Sequence, residues 1–224
     1  MHLQNKIPSA FLFDLNGTMV DDMEFHVKAW YGILNEDLKA NMSWDEVRSH
    51  MYGKNSELFK RVFGEGHFTE REMEHWSMEK ERRYQREFLP HLKLINGLPE
   101  FLYKARGHGL KLAIGSAAIP FNIDFVLDNL KIRDCFDAIV SADDVNISKP
   151  DPETYLKAAE LLAAEAMDCI VFEDAPKGVE AAELAGMTSV VLTTMHEREE
   201  FSAYGRILAF VKDYADPVLN RFFE

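Results

Sequence analysis

Cysteine is scarce: two residues in 224, Cys135 and Cys169, both beside apolar neighbours, with no CxxC pair. One bridge is the most this chain can form, so a disulfide framework is excluded and a reducing cytoplasm is the expected compartment. The eight histidines show no HxxxH spacing, which removes the helical zinc signature. Long apolar runs are missing too. The stretches Phe11–Phe13 and Ser189–Leu192 are far too short to cross a bilayer, and the first residues lack the apolar region of a secretion signal. Positive charge is in deficit: 25 Lys and Arg against 38 Asp and Glu give 25 − 38 = −13. A surface of that sign disfavours nucleic acid and anionic membrane, and an anionic substrate must be held by a local concentration of positive charge.

What is present is an ordinary apolar and charged mixture at 47% and 28%, in a chain long enough to bury a core without staples. Short apolar runs read as buried strands at Ala10–Phe13, Leu110–Gly115, Ala138–Ser141, Cys169–Glu173 and Ser189–Thr193. Helical patterns fall at Leu98–Arg106, Asn122–Leu130, Pro152–Ala166 and Lys177–Ala185. Strands alternating with helices of this length predict an α/β fold with a Rossmann-like parallel sheet covered on both faces. From about Val20 to Glu87 no strand run occurs, only helical patterns rich in charge, and the run EKERRYQRE (Glu79–Glu87) reads as a solvated helix face. That stretch is too long for a loop within a compact sheet. The expected organisation is therefore a core of residues 1–19 and 88–224 with an inserted α-helical cap of residues 20–87. Prolines and Gly97 near the return suit a hinge.

Ligands of open parallel sheets sit at the carboxyl ends of the strands. The first strand run ends in Asp14-Leu-Asn16-Gly17-Thr18, the second in Gly115-Ser116-Ala117-Ala118, and the fourth in Glu173-Asp174. Ser148-Lys149-Pro150 lies between the third and fourth runs. Each residue alone is as well explained by a helix cap or a loop; their convergence at one rim points to chemistry. Phosphoryl transfer fits. An aspartate attacking phosphorus needs a divalent cation so that two anions can approach, and Asp14, Glu173 and Asp174 offer the hard oxygens Mg²⁺ prefers. Lys149, Ser116 and backbone N–H groups after Asp14 would hold the oxygens of the transferring group.

The segments FLFDLNGTMVDD, IGSAA, SKPDPETY and VFEDAPKGVEAAELAGM span nearly the whole chain in order. They resemble the haloacid dehalogenase superfamily, in its β-phosphoglucomutase-like branch with a helical cap. The resemblance implies Asp14 as the nucleophile that becomes an aspartyl-phosphate. It also implies Ser116, with Ala117 beside it, and Lys149 as phosphate ligands, and Thr18 as a residue shaping the turn on the substrate side. Mg²⁺ would be held by Asp14, Asp174 with Glu173, and the backbone carbonyl of Asn16. His26 resembles a cap histidine that couples closure to substrate, and Lys54, in Gly53–Glu57, a specificity-loop residue; a half-exposed helix histidine and a solvent lysine explain them equally.

One position departs from the pattern. Two residues after the nucleophile, phosphatases and mutases of this family carry a second aspartate as general acid/base, and here Asn16 stands. An amide cannot shuttle a proton at neutral pH. Three readings stay open: a slow enzyme, a deliberate exchange of that aspartate, or a natural chemistry that needs no acid there. The Lys-Asn pair that the mutase carries after its second-motif serine is replaced by Ile119-Pro120, and Gly53–Leu58 holds no arginine. The sequence therefore predicts a cytoplasmic, monomeric, Mg²⁺-dependent phosphatase of a small phosphate ester, a sugar phosphate first. A β-phosphoglucomutase and a catalytically silent sugar-phosphate binder are the alternatives.

Overall fold

The computed structural model describes residues 8–224. These form two compact units, one of residues up to Asp21 together with Lys93–Glu224, the other Asp22–Leu92. The first unit is built on a six-stranded sheet in the order β3-β2-β1-β4-β5-β6, with β1 Ala10–Phe13, β2 Lys111–Gly115, β3 Ala138–Val140, β4 Cys169–Glu173, β5 Thr188–Leu192 and β6 Ile207–Val211. Every pairing is parallel. Parallel strands need crossovers; helices α5 (Leu98–Gly107), α6 (Pro120–Leu130), α7 (Glu153–Leu161) and α8 (Pro176–Leu184) supply four of the five, and the β5–β6 connection carries the 3₁₀ turn Arg198–Phe201.

Burial explains the continuous apolar runs. All four residues of β1 and all five of β4 are inaccessible, so neither face of the central strands reads as polar. Alternation then divides their side chains between two layers. Phe11 and Phe13 face an aromatic layer with Phe101, Phe172 and Tyr214, in which Phe13 stacks on its register partner Phe172 at 4.8 Å. Ala10 and Leu12 face a layer of small residues on α7 and α8, including Ala158, Ala159, Ala181 and Ala182. Small side chains there let those helices approach the sheet closely.

Several sequence boundaries shift. The helix expected over Pro152–Ala166 stops at Leu161, because Ala163 takes a positive φ of 48° and turns the chain. The edge strand β6 was not anticipated: its run ILAFV is apolar like the other strands, but only short turns of 3₁₀ helix follow it. Gly97 is no hinge. It lies within the first unit at the start of α5, with φ 78°, and a Cβ there would sit 2.4 Å from the Ala215 nitrogen.

The inserted unit contains α1 (Met23–Tyr31), α2 (Trp44–Ser49), α3 (Asn55–Phe63) and α4 (Glu70–Phe88). Its core gathers Val27, Trp30, Ile33, Leu34, Val47, Leu58 and Phe59. Reciprocal capping boxes, Ser43 with Glu46 and Thr69 with Glu72, start α2 and α4. Phe88 packs on Tyr84 and Phe25, so this unit extends past the boundary expected after residue 87. The charge run Glu79–Glu87 is only in part a solvated face, since Lys80, Glu81 and Tyr84 within it are buried. No helix among the described residues is long and apolar enough to cross a membrane.

Candidate active site

The strand order reverses between β1 and β4: after β1 the chain builds β2 and β3 to one side, then returns to β1's other edge. The carboxyl ends of two strands at such a reversal flank a natural crevice. β1 delivers Asp14 there and β4 delivers Glu173 and Asp174, and carboxylate oxygens of the three lie within 4.8 Å of one another. The Asp14 N–H donates to the Phe172 carbonyl at 3.0 Å, extending the ladder and fixing where the side chain emerges.

Lys149 enters from the loop before α7. Its Nζ donates to Asp14 Oδ1 at 2.7 Å, to Glu173 Oε1 at 2.7 Å and to the Tyr155 hydroxyl at 2.8 Å. An ammonium has three protons, and all three are engaged. Burial by itself would discharge the lysine, but the Asp14 and Glu173 carboxylates outweigh it and push its pKa up to about 12. The required local positive charge is therefore fixed at this rim.

Glu173 is fully engaged as well. Oε1 accepts from Lys149 and, at 2.6 Å, from Tyr155; Oε2 accepts the backbone N–H groups of Asp174 and Ala175 at 3.0 and 3.1 Å. Those four bonds match the roughly four acceptor positions of a carboxylate. Two glycines make room for the acids. A Cβ on Gly178 would lie 1.8 Å from Glu173 Oε1, and one on Gly17, whose φ is +74°, would lie 2.1 Å from Asp174 Oδ2.

Thr18 is completely buried, and its hydroxyl donates to Asp174 Oδ1 at 3.4 Å. Its side chain is thus placed against an acid of the cluster. Asn16, partly exposed in the same turn, forms an isolated bridge with Val20, and the Gly17 N–H donates to the Val20 carbonyl at 2.8 Å. Ser116 is buried just past the end of β2, with its N–H on the Val140 carbonyl; its hydroxyl accepts from the Ala118 N–H at 3.1 Å, and Ala117 between them is partly exposed. The structure thus brings Asp14, Lys149, Glu173 and Asp174 into one hydrogen-bonded centre, with Thr18 behind it.

His26 and Lys54 belong to the inserted unit. His26 is buried, not half-exposed: it stacks on Tyr84 with centroids 3.7 Å apart, meets Lys80 Nζ at 2.7 Å through Nδ1 and lies 3.5 Å from Asp22 through Nε2. Lys54 precedes α3, where its backbone N–H donates to Glu57 at 2.9 Å. The loop before it is held by Arg61, which donates to the His50 and Tyr52 carbonyls and lies 3.8 Å over the Tyr52 ring.

Sequence reasoning missed Tyr155 and Gly178 although both stand inside the quoted segments SKPDPETY and KGVEAAELAGM. A tyrosine six residues after the lysine, in the first turn of α7, was the available signal for the first. Thr194 and Tyr214 were missed without any local signal.

Residues 11–192 match the model of the haloacid dehalogenase-like hydrolases. The β-phosphoglucomutase of Bacillus subtilis is 32% identical over 81% of this chain and 81% of its own length. Fructose-1-phosphate phosphatase YqaB of Escherichia coli is 28% identical over 81% of this chain and 95% of its own. The crystal structure of a Clostridium difficile β-phosphoglucomutase superposes with a TM-score of 0.82 at 24% identity, over 96% of this chain and 97% of that one, a likeness of fold. The chain belongs to the haloacid dehalogenase-like hydrolases, in their β-phosphoglucomutase-like branch.

Proposed function

We propose that this protein is a Mg²⁺-dependent phosphatase of a small phosphate ester, a sugar phosphate first, acting through Asp14. The observation that carries the reading is the Asp14–Lys149–Glu173 hydrogen-bonded centre with Asp174 beside it at the sheet's reversal. The donor set fits magnesium: hard carboxylate oxygens close together, with no sulfur or imidazole among them. Asp14, Asp174 and the backbone carbonyl of Asn16 would hold the ion. Glu173, whose acceptor positions are taken, serves by fixing Lys149. When bound, Mg²⁺ supplies charge that lets an anionic phosphoryl group approach an anionic carboxylate.

Asp14 attacks phosphorus through a carboxylate oxygen as the ester's bridging oxygen departs, giving an aspartyl-phosphate that water later cleaves. Lys149 orients Asp14 through Oδ1 and offsets charge on the transferring group. The Asn16 amide can donate a hydrogen bond but supplies no proton to the leaving oxygen, so that step relies on water. A mutase reading draws on the Bacillus relative. Against it, Ile119 and Pro120 open α6 and offer no side-chain donor for a second phosphate.

A panel of phosphate esters, assayed with and without Mg²⁺ on this chain and on Asn16→Asp, tests the reading. Asn16→Asp is expected to raise turnover about 10²–10⁴-fold. Phosphate release from neither protein overturns it. Isomerisation of a hexose phosphate primed by a bisphosphate would favour the mutase.

A further inference from the structure

Two consecutive carbonyls of the turn after Asp14 are held by hydroxyl groups from the far side of the sheet. Thr194 Oγ1, two residues past β5, donates to the Gly17 carbonyl at 2.6 Å. The buried Tyr214 hydroxyl, three residues past β6, donates to the Thr18 carbonyl at 3.1 Å. The donors lie 177 and 196 residues along the chain from their acceptors, so no local turn chemistry explains either bond. Tyr214 is itself pinned: its N–H donates to the Asn96 carbonyl at 2.9 Å and its ring packs on Phe101 and Phe172.

A peptide unit is planar, so a carbonyl held in place fixes its whole plane. The plane held by Thr194 sets the backbone N–H of Thr18, and the plane held by Tyr214 sets the next. Between them lies the Thr18 side chain, whose hydroxyl is on Asp174 Oδ1. Gly17 sits so close to Asp174 that a Cβ there would overlap Oδ2 at 2.1 Å. The peptide unit just before it carries the Asn16 carbonyl. Any slackening of the turn therefore moves two of the groups assigned to the ion.

We propose that Thr194 and Tyr214 are positioning residues that brace the 16–18 turn from behind and so set the affinity of the Asp14–Asp174 site for a divalent cation. The inference rests on the Mg²⁺ reading given above. Neither residue touches the ion or the phosphoryl group. They act through backbone planes, and the hydroxyl is the atom that matters.

Calorimetric titration of the full chain with MgCl₂, alongside thermal unfolding in EDTA, tests this. One buried neutral hydrogen bond is worth enough to shift a dissociation constant ~3–10-fold. Thr194→Val, equal in size but lacking the hydroxyl, is expected to weaken Mg²⁺ binding by that factor, and Tyr214→Phe to do the same. Thr194→Ser, which keeps the hydroxyl, should stay within about twofold of the parent. The serine rescue separates a brace from mere packing. Should Thr194→Val fail to fold, Tyr214→Phe, on a different segment, carries the test. Parent-like binding by both hydroxyl-less variants overturns the inference while leaving the Mg²⁺ reading intact, as does serine behaving like valine. A parent chain that binds no Mg²⁺ removes that reading, and the brace with it.

Discussion

Each unit of this molecule buries a polar cluster built around a lysine. In the core, Lys149 lies among Asp14, Glu173 and Tyr155. In the inserted unit, Lys80 lies between His26 and Glu81, with Asp22 taking the Tyr84 hydroxyl at 2.5 Å and Asn55 donating to Glu81 at 2.7 Å. They differ in where their members come from. The core cluster draws on two strand ends, a loop and α7, far apart in sequence, whereas the inserted cluster sits mainly on α1 and α4. The first requires the whole sheet to be assembled, and the second requires two helices to pair. The core cluster also keeps its carboxylates within a few ångströms of one another, an arrangement that like charges resist unless a cation joins them. The inserted cluster places its two bases, His26 and Lys80, between the acids Asp22 and Glu81. The first has the carboxylate spacing of a metal site; the second interleaves its charges within two helices.

The sharpest way to break that contrast is to remove each lysine. Lys149→Met and Lys80→Met both strand buried acids and should each cost about 3–5 kcal/mol in denaturant unfolding. Only Lys149→Met is expected to abolish phosphate release, while Lys80→Met should leave the core's Mg²⁺ affinity unchanged by calorimetry. A smaller effect comes from Gly178→Ala. In an ordinary helix alanine would gain about 0.8–1.0 kcal/mol over glycine. Here its methyl would fall on Glu173, so the sign reverses and a loss of about 1–3 kcal/mol is expected by thermal unfolding. Comparable in size is the pair Tyr155→Phe and Tyr84→Phe. Each removes a buried hydroxyl bonded to a carboxylate, at about 1.5–3 kcal/mol or less. Steady-state kinetics should separate them, kcat falling with Tyr155→Phe while KM stays within about twofold.

Much of the core was readable in advance because its central strands are inaccessible on both faces. Such strands leave unbroken apolar runs, and the parallel arrangement follows from the helices between them. The acids at their ends were legible for the same reason: Asp14, Glu173 and Asp174 are where those runs stop. What escaped notice acts across sequence distance. Tyr155 looks like core filler until the lysine six residues earlier is seen to fold back upon it. Thr194 and Tyr214 reach the turn only because β5 and β6 lie beyond β4. Lys80 and Glu81 looked like solvent-facing charge because periodicity reports a helix's faces, not which of them a neighbouring helix covers.

The charge carried by the core cluster has a consequence for the protein's life outside turnover. With all three acids ionised, Asp14, Glu173, Asp174 and Lys149 sum to −3 + 1 = −2. A doubly charged ion brings that sum to zero, and sodium or potassium cannot. Ligand binding to a native state adds to its stability through the ratio of free ion to dissociation constant. On the proposed function, folding of the sheet and readiness for chemistry would both follow one variable, the free divalent cation around the protein.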